Sequence, residues 1–166
     1  CRSLNLALQS AANPPSDAKP EIVTQQDAPP WRVGDAVIAT ETESNPQPPF
    51  ERMYKNGDMG TISEVNVAAR RVCVTFGAGH SHEFSAATSD VLHSYAMTVH
   101  RYQGSETAHV VIVIDMHSSY QSREALYTAA TRGAASVAIH GGKDTLSAAL
   151  KQSSNDRRCT MLRERL

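Results

Sequence analysis

Long apolar runs are missing from this sequence. The longest, Val110-Val111-Ile112-Val113-Ile114, is five residues, whereas a membrane-spanning helix needs about 18 or more. Cysteine is scarce: Cys1, Cys73 and Cys159 stand far apart with no CxxC pair. That excludes a dense disulfide scaffold and an all-cysteine zinc site, and it fits a reducing, cytoplasmic compartment. No excess of one charge is present, with 16 Lys+Arg against 17 Asp+Glu, which argues against a polybasic nucleic-acid binder. The opening Cys1-Arg2-Ser3-Leu4 lacks the charged flank and apolar stretch of a signal peptide. A start at Cys1 rather than Met is expected of a piece of a longer protein. A phosphate-binding GxxxxGK[ST] loop is also lacking. Gly141-Gly142-Lys143 comes nearest, but the pattern would need Gly at Val137 and Ser or Thr at Asp144. The expectation there is a plain strand-to-helix connection.

What is present divides along the chain. Its 166 residues suit one domain, or one domain with a small insertion. All eight prolines lie between positions 14 and 49, and all seven histidines between His80 and His140. Residues 1–90 carry 7 basic and 11 acidic side chains, and residues 91–166 carry 9 and 6. Two sub-structures are expected. Residues 2–12 predict a short helix with Leu4, Leu8 and Ala11 on one face, ended by Asn13-Pro14-Pro15. Residues 13–30 predict a linker or long loop. A first strand is expected at Val33 and Val37–Ala39, then a proline-rich excursion from Asn45 to Pro49 and a turn at Asn56-Gly57-Asp58. Thr61–Val65 and Arg71–Phe76 alternate with period two and predict a hairpin, and His80–Ser85 another strand. Short antiparallel strands at this density suggest a small SH3-like barrel.

Beyond residue 90 the pattern changes. His109–Asp115 predicts a strand covered on both faces. Ser122–Arg132 predicts a helix with Ala125, Leu126, Ala129 and Ala130 on one side. Ser136–His140 predicts a second strand, and Asp144–Gln152 a helix capped by Asp144. This βαβα order implies an α/β fold with a parallel sheet. The tail, residues 156–166, is basic and predicts a solvated helix end.

Several clusters could carry chemistry. Thr98-Val99-His100-Arg101-Tyr102-Gln103-Gly104-Ser105-Glu106 precedes the apolar strand and offers hydroxyl, imidazole, cation and amide groups, all ligands for phosphate or sugar. An exposed polar loop is the plainer explanation. Arg132, after Tyr127-Thr128-Ala129-Ala130-Thr131, can simply favour a helix C-terminus, worth ~0.3–1 kcal/mol, or reach across a cleft to a γ-phosphate; composition alone favours the first. His80-Ser81-His82 has zinc-like alternation but no further ligands at the usual spacing, so a polar strand face is expected. Cys73 is expected in the core.

These residues also carry a family resemblance. Tyr95-Ala96-Met97-Thr98-Val99-His100-Arg101-Tyr102-Gln103-Gly104-Ser105-Glu106 resembles motif V of RecD-like superfamily 1 DNA helicases, which move 5′ to 3′, and Leu126-Tyr127-Thr128-Ala129-Ala130-Thr131-Arg132 resembles their motif VI. Gly34-Asp35-Ala36-Val37 and Asn56-Gly57-Asp58-Met59-Gly60 resemble pieces of the SH3-like insertion in that family. Leu4-Asn5 to Asn13-Pro14 resembles the segment before it.

The resemblance implies a layout. Residues 1–15 and 89–155 would belong to the second RecA-like motor domain, 16–30 would be a linker, 31–88 an inserted SH3-like barrel, and 156–166 a basic tail. It implies single-stranded DNA contacts at Thr98, His100, Arg101, Tyr102, Gln103, Tyr127 and Thr131, a nucleotide side at Gly104 and Glu106, and a catalytic γ-phosphate contact at Arg132. ATP and Mg2+ would serve the full-length parent, with neither expected to bind tightly to this chain alone. The partners implied are single-stranded DNA and an N-terminal RecA-like domain of the same protein, with no membrane. The family's usual Lys-Ser in motif V is Arg101-Tyr102 here; Arg keeps the cation in a planar fork, and Tyr102 can stack on a base, worth ~1–3 kcal/mol. A stand-alone DNA-binding module, or a barrel that holds a proline-rich peptide, would be the other classes.

Overall fold

The computed structural model describes residues 1–23, 28–44, 52–77, 79–115 and 122–153. The expected basic tail, all of the proline-rich excursion and part of the linker lie outside these residues. The chain divides into two compact units, Cys1–Thr98 and Val99–Leu166.

The first unit opens with helix α1 (Arg2–Ala12), the span the sequence predicts. Its buried face is the opposite of the expected one. Leu4, Leu6 and Leu8 remain between 36% and 38% exposed, while Asn5, Gln9 and Asn13 are buried. The cause is Asp35, a fully buried carboxylate. A buried charge is tolerated only with hydrogen-bond donors around it, and α1 supplies two of them from a polar stripe at spacing four.

Strands β1 (Glu21–Ile22) and β2 (Trp31–Arg32) form an antiparallel pair, joined on the side by an Arg32 Nε–Glu21 Oε2 ion pair at 2.8 Å. Val33 falls in a tight turn rather than in a strand, because Gly34 takes φ +90° and Asp35 N–H closes onto Arg32 O. β3 (Ala36–Ala39), β4 (Glu43–Ser44) and β5 (Arg52–Tyr54) follow, then the long hairpin of β6 (Met59–Asn66) and β7 (Arg71–Phe76), then β8 (Ser81–Ser85) and β9 (Val91–His93). Five of these make one antiparallel sheet in the order β8-β7-β6-β3-β9, and β4 pairs with β5 separately. The predicted alternation holds in β7: Val72, Val74 and Phe76 point inward. They meet Val37, Ile62, Tyr54, Phe84 and Val91 in one core. Gly60 sits where β6 presses on β7, so that a Cβ there would lie 2.7 Å from Val74 Cγ1 and 2.9 Å from Thr75 O. Cys73 is half-buried with a free thiol, not a core residue.

The second unit contains β10 (Thr107–Val113), α2 (Arg123–Ala130), β11 (Gly133–His140) and α3 (Lys143–Lys151). β10 and β11 pair in parallel, with Val110 opposite Val137 and Ile112 opposite Ile139. The α/β order expected from sequence is present. Ser122 caps α2 by accepting Ala125 N–H at 3.2 Å. α3 begins one residue earlier than predicted: Gly142 is its N-cap, with no side-chain cap bond, and Asp144 lies in the first turn. There its charge acts on the helix dipole instead of capping. Ile112, Ile114, Leu126, Ala129 and Ala149 form the core, with Val99, Val110, Ala130 and Leu146 against it. Gly141-Gly142-Lys143 is the strand-to-helix connection, where a Cβ on Gly141 would strike Ile114 Cγ1. β10 is not covered on both faces. Its helix side is buried, but Val111 and Val113 on the other side are 68% and 55% exposed, because both helices of this unit's described residues pack on one face of a two-stranded sheet.

A candidate nucleic-acid interface

Residues 94–106 connect β9 to β10 without regular structure. Their first part belongs to the unit Cys1–Thr98, and its backbone is held tightly. Ser94 N–H donates to Ala36 O at 2.9 Å. Asn5 grips Ala96 from both sides: its Nδ2 donates to Ala96 O at 2.6 Å, and its Oδ1 accepts Ala96 N–H at 2.9 Å. The Tyr95 hydroxyl donates to Asp35 Oδ1 at 3.0 Å. Thr98, two residues after Ala96, is exposed.

Asp35 is the centre of this arrangement. Oδ1 also accepts Asn13 Nδ2 at 2.7 Å, and Oδ2 accepts Gln9 Nε2 at 2.7 Å, Arg32 N–H at 2.8 Å and His93 Nε2 at 3.2 Å. His93 Nε2 also lies 3.2 Å from Pro30 O. Both neighbours accept, so this nitrogen carries the proton. The His93 ring stacks on Trp31, with centroids 4.2 Å apart.

Burial alone would raise the Asp35 pKa, but hydrogen bonds from His93, Asn13 and Arg32 N–H outweigh it and hold it below the ordinary carboxylate value. Tyr95 moves the other way. Burial, then the nearby Asp35 charge, push its hydroxyl from 10.0 to about 12. The lowered Asp35 pKa contributes stability that is complete above the ordinary carboxylate range and lost as pH falls through the lower folded value. The raised Tyr95 pKa contributes stability that is complete below pH 10.0 and lost as pH rises toward about 12. Trp31 fluorescence should therefore report an acidic and an alkaline transition. Tyr95→Phe should weaken the alkaline one and leave the acidic one in place; an unchanged alkaline transition would remove Tyr95 from it.

The rest of the loop belongs to the unit Val99–Leu166. His100, Arg101, Gln103, Gly104 and Glu106 are exposed, and Tyr102 and Ser105 are half-buried. Two tight turns shape it, Gln103 N–H to His100 O at 3.4 Å and Ser105 N–H to Tyr102 O at 3.2 Å. Gly104 takes φ +86°, a left-handed conformation that side chains resist.

Arg132 lies just past α2 and ties the helix to this loop. Nε donates to Thr128 O at 3.2 Å, and Nη1 to Ser105 O at 3.2 Å. Its own carbonyl accepts Thr107 N–H at 3.0 Å. The expected helix-end role is thus real, since a cation satisfies a terminal carbonyl. Nη2 makes only a 3.4 Å contact with Thr131 Oγ1. Tyr127 is 71% exposed, and it shares one helix face with Thr131, four residues on.

The structure thus brings together Ser105, Thr128, Thr131 and Arg132, with Gly104 and Glu106 flanking Ser105. It records no hydrogen bond from His100, Arg101 or Gln103 side chains to that group. The residues that sequence reasoning left without a role are Asn5, Gln9, Asn13, Asp35 and His93. Their signal was present as Asn5, Gln9 and Asn13 at helical spacing. As for His80-Ser81-His82, His82 Nε2 pairs with Glu43 Oε2 at 3.3 Å and its ring packs edge-on to Tyr54 and Phe84. Among the described residues no group of three ligands could hold a metal, and no helix is long and apolar enough to cross a membrane.

Comparison with known proteins finds similarity to helicases. Residues 93–139 match the UvrD-like helicase C-terminal domain. Bacteroides Pif1 bound to ssDNA has a similar fold, with a TM-score of 0.55 at 12% identity over 81% of this chain and 38% of that chain. The Bacteroides Pif1 helicase in complex with ADP-AlF3 and ssDNA gives 0.51 at 14% identity over 75% and 33%. These two likenesses show a shared fold. RecBCD enzyme subunit RecD of Mycolicibacterium smegmatis is 30% identical over 140 residues, which is 82% of this chain and 23% of that protein. The ATP-dependent RecD2 DNA helicase of Deinococcus radiodurans is 33% identical over 102 residues, 61% of this chain and 13% of that protein. The chain is similar to RecD-like helicases, and its match to a helicase C-terminal domain supports a likeness to their C-terminal part. It spans less than a quarter of the length of these curated relatives.

Proposed function

We propose that this chain forms one wall of the nucleotide cleft, and part of the single-stranded DNA track, of an ATP-dependent 5′ to 3′ DNA helicase acting in the cytoplasm. The observation that carries this reading is the Arg132 guanidinium, which holds Ser105 O and Thr128 O while Nη2 is left almost unused. A guanidinium has five N–H donors. One side chain can thus sense a phosphate through Nη2 and transmit the change to the loop through Nη1. A fixed cation at the transferring phosphoryl group is the usual way such motors stabilise its charge.

In this reading Thr98, His100, Arg101, Tyr102 and Gln103 contact the DNA strand, with Tyr127 and Thr131 on the same track, and Gly104 and Glu106 face the nucleotide. ATP and Mg2+ serve the full-length protein. The phosphate loop comes from an N-terminal RecA-like domain, because the 166 residues contain none. The chain alone is then inactive as an ATPase. Strands β3, β6, β7 and β8 of the antiparallel sheet belong to the inserted SH3-like barrel, with residues 31–88 as its extent; residues 1–15 and 89–155, with β9, belong to the second motor domain.

Fluorescence anisotropy with an oligo-dT strand across a salt series tests the DNA contact. Binding should weaken with salt, since phosphate contacts release counterions, and Thr98→Ala/His100→Ala should lower affinity about tenfold, the scale of two lost polar contacts. Tight binding indifferent to the double substitution would move the DNA site elsewhere.

A further inference from the structure

We propose that Asn5 and Asp35 are positioning residues for the Thr98 end of the DNA-contacting loop. The proposal rests on the DNA-binding reading above and adds to it the residues that hold the loop's entry. Ala96 is gripped at both its N–H and its carbonyl by one Asn5 amide. This is the same two-point pairing that a neighbouring strand would give, supplied by a side chain. Tyr95, one residue earlier, is fixed through its hydroxyl to Asp35. Asn5 itself is fixed, because α1 is locked to Asp35 by Gln9 and Asn13 on the same helix face. The chain therefore leaves Ala96 toward Thr98 from a point set by two contacts, one direct and one through α1, that share Asp35.

The form of the anchoring argues for more than stability. Leu4 and Leu8 offered an apolar face for burial, yet α1 buries its polar stripe instead. Apolar packing tolerates small shifts, whereas directional hydrogen bonds in a buried network fix one geometry. Gln9 even leaves its Oε1 buried and without a partner among the described residues, a cost accepted in an arrangement that delivers Nε2 to Asp35 and Pro30 O.

The test uses the full 166-residue chain with Asn5→Ala, and with Tyr95→Phe as a milder variant that keeps the ring. Two readouts are taken. Amide hydrogen exchange at positions 96–100 is compared with Ile62 and Val74 in the core, and oligo-dT affinity is measured with Thr98 and His100 either intact or both Ala. Exchange at 96–100 should rise about tenfold while the core amides hold, as for a local opening. Affinity should fall with Thr98 and His100 intact and fall no further without them, because residues that act through one another are not additive. Unchanged exchange at 96–100 in both variants would overturn the positioning role. Faster exchange with affinity unchanged, or with losses that simply add, would overturn its link to DNA. If the unsubstituted chain fails to bind oligo-dT at all, the DNA-binding reading falls and takes the DNA link with it, while exchange still decides whether the clamp holds the loop.

Discussion

Asp35→Ala should cost the unit Cys1–Thr98 about 3–5 kcal/mol, as stranding two hydrogen-bond donors and opening a void beside them does. The magnitude follows from what would be stranded. Gln9 Nε2, Asn13 Nδ2 and His93 Nε2 each keep a second acceptor, in Pro30 O, Val33 O and Pro30 O respectively. The Tyr95 hydroxyl and Arg32 N–H are recorded with no other acceptor, and each stranded buried donor costs about 1–3 kcal/mol. The vacated space adds to this. Against a typical domain stability of about 5–15 kcal/mol, the unit would be left marginal. Urea denaturation followed by Trp31 fluorescence measures it directly, since the Trp31 ring stacks on His93 within the same cluster. A loss below about 1 kcal/mol, the worth of one ordinary hydrogen bond, would mean that water replaces the carboxylate and that the cluster is not the keystone of this unit.

The second large effect concerns turnover. In the full-length protein, Arg132→Ala should reduce ATP hydrolysis by about 10³-fold or more, the range for a phosphate-directed arginine. Arg132→Lys should restore little. An ammonium is a point charge and cannot hold Ser105 O and Thr128 O while addressing a phosphate. The stability of the unit Val99–Leu166 should change far less, since Arg132 is half-buried and outside the apolar core. Steady-state ATPase assays with thermal melts of the same variants separate the two. Should hydrolysis persist within a few-fold of the parent while melting drops sharply, Arg132 is a helix-end residue only.

Much of the fold was legible from the residues. The β6–β7 hairpin was expected from alternation, which holds in β7 but not in β6, where a register shift between Ile62 and Glu64 sets the buried Ile62 and Val65 three apart; β10, α2, β11 and α3 were legible by a change of period. The candidate site was read from two stretches, 95–106 and 126–132, and composition alone favoured a helix end over a phosphate contact for Arg132. Its helix-end bonds are now visible and leave one terminus of the guanidinium open for the other role. The face of α1 was misread for a definite reason. Amphipathic reasoning assumes that the apolar stripe is the buried one, and it has no means of knowing that a carboxylate 30 positions after Asn5 must be satisfied. Asp35 looked like an ordinary turn residue beside Gly34, and only the three-dimensional register brings α1, β9 and Tyr95 around it. The capping error at Asp144 is smaller and local: a one-residue shift of the α3 start converts a cap into a first-turn charge.

The grip of Asn5 on Ala96 spans 91 positions of chain. Local pieces such as the β6–β7 hairpin can close as soon as their own residues exist, but this clasp cannot form until both ends of the unit are out of the ribosome. Closing so long a loop carries an entropic cost that grows slowly with length, about 0.6 kcal/mol per doubling. Contacts of that separation form late in folding. A nascent chain halted before Ala96 would therefore carry its hairpin already paired while Asn5 still lacked its partner, and the segment proposed to meet DNA takes its shape at the end of synthesis of this unit.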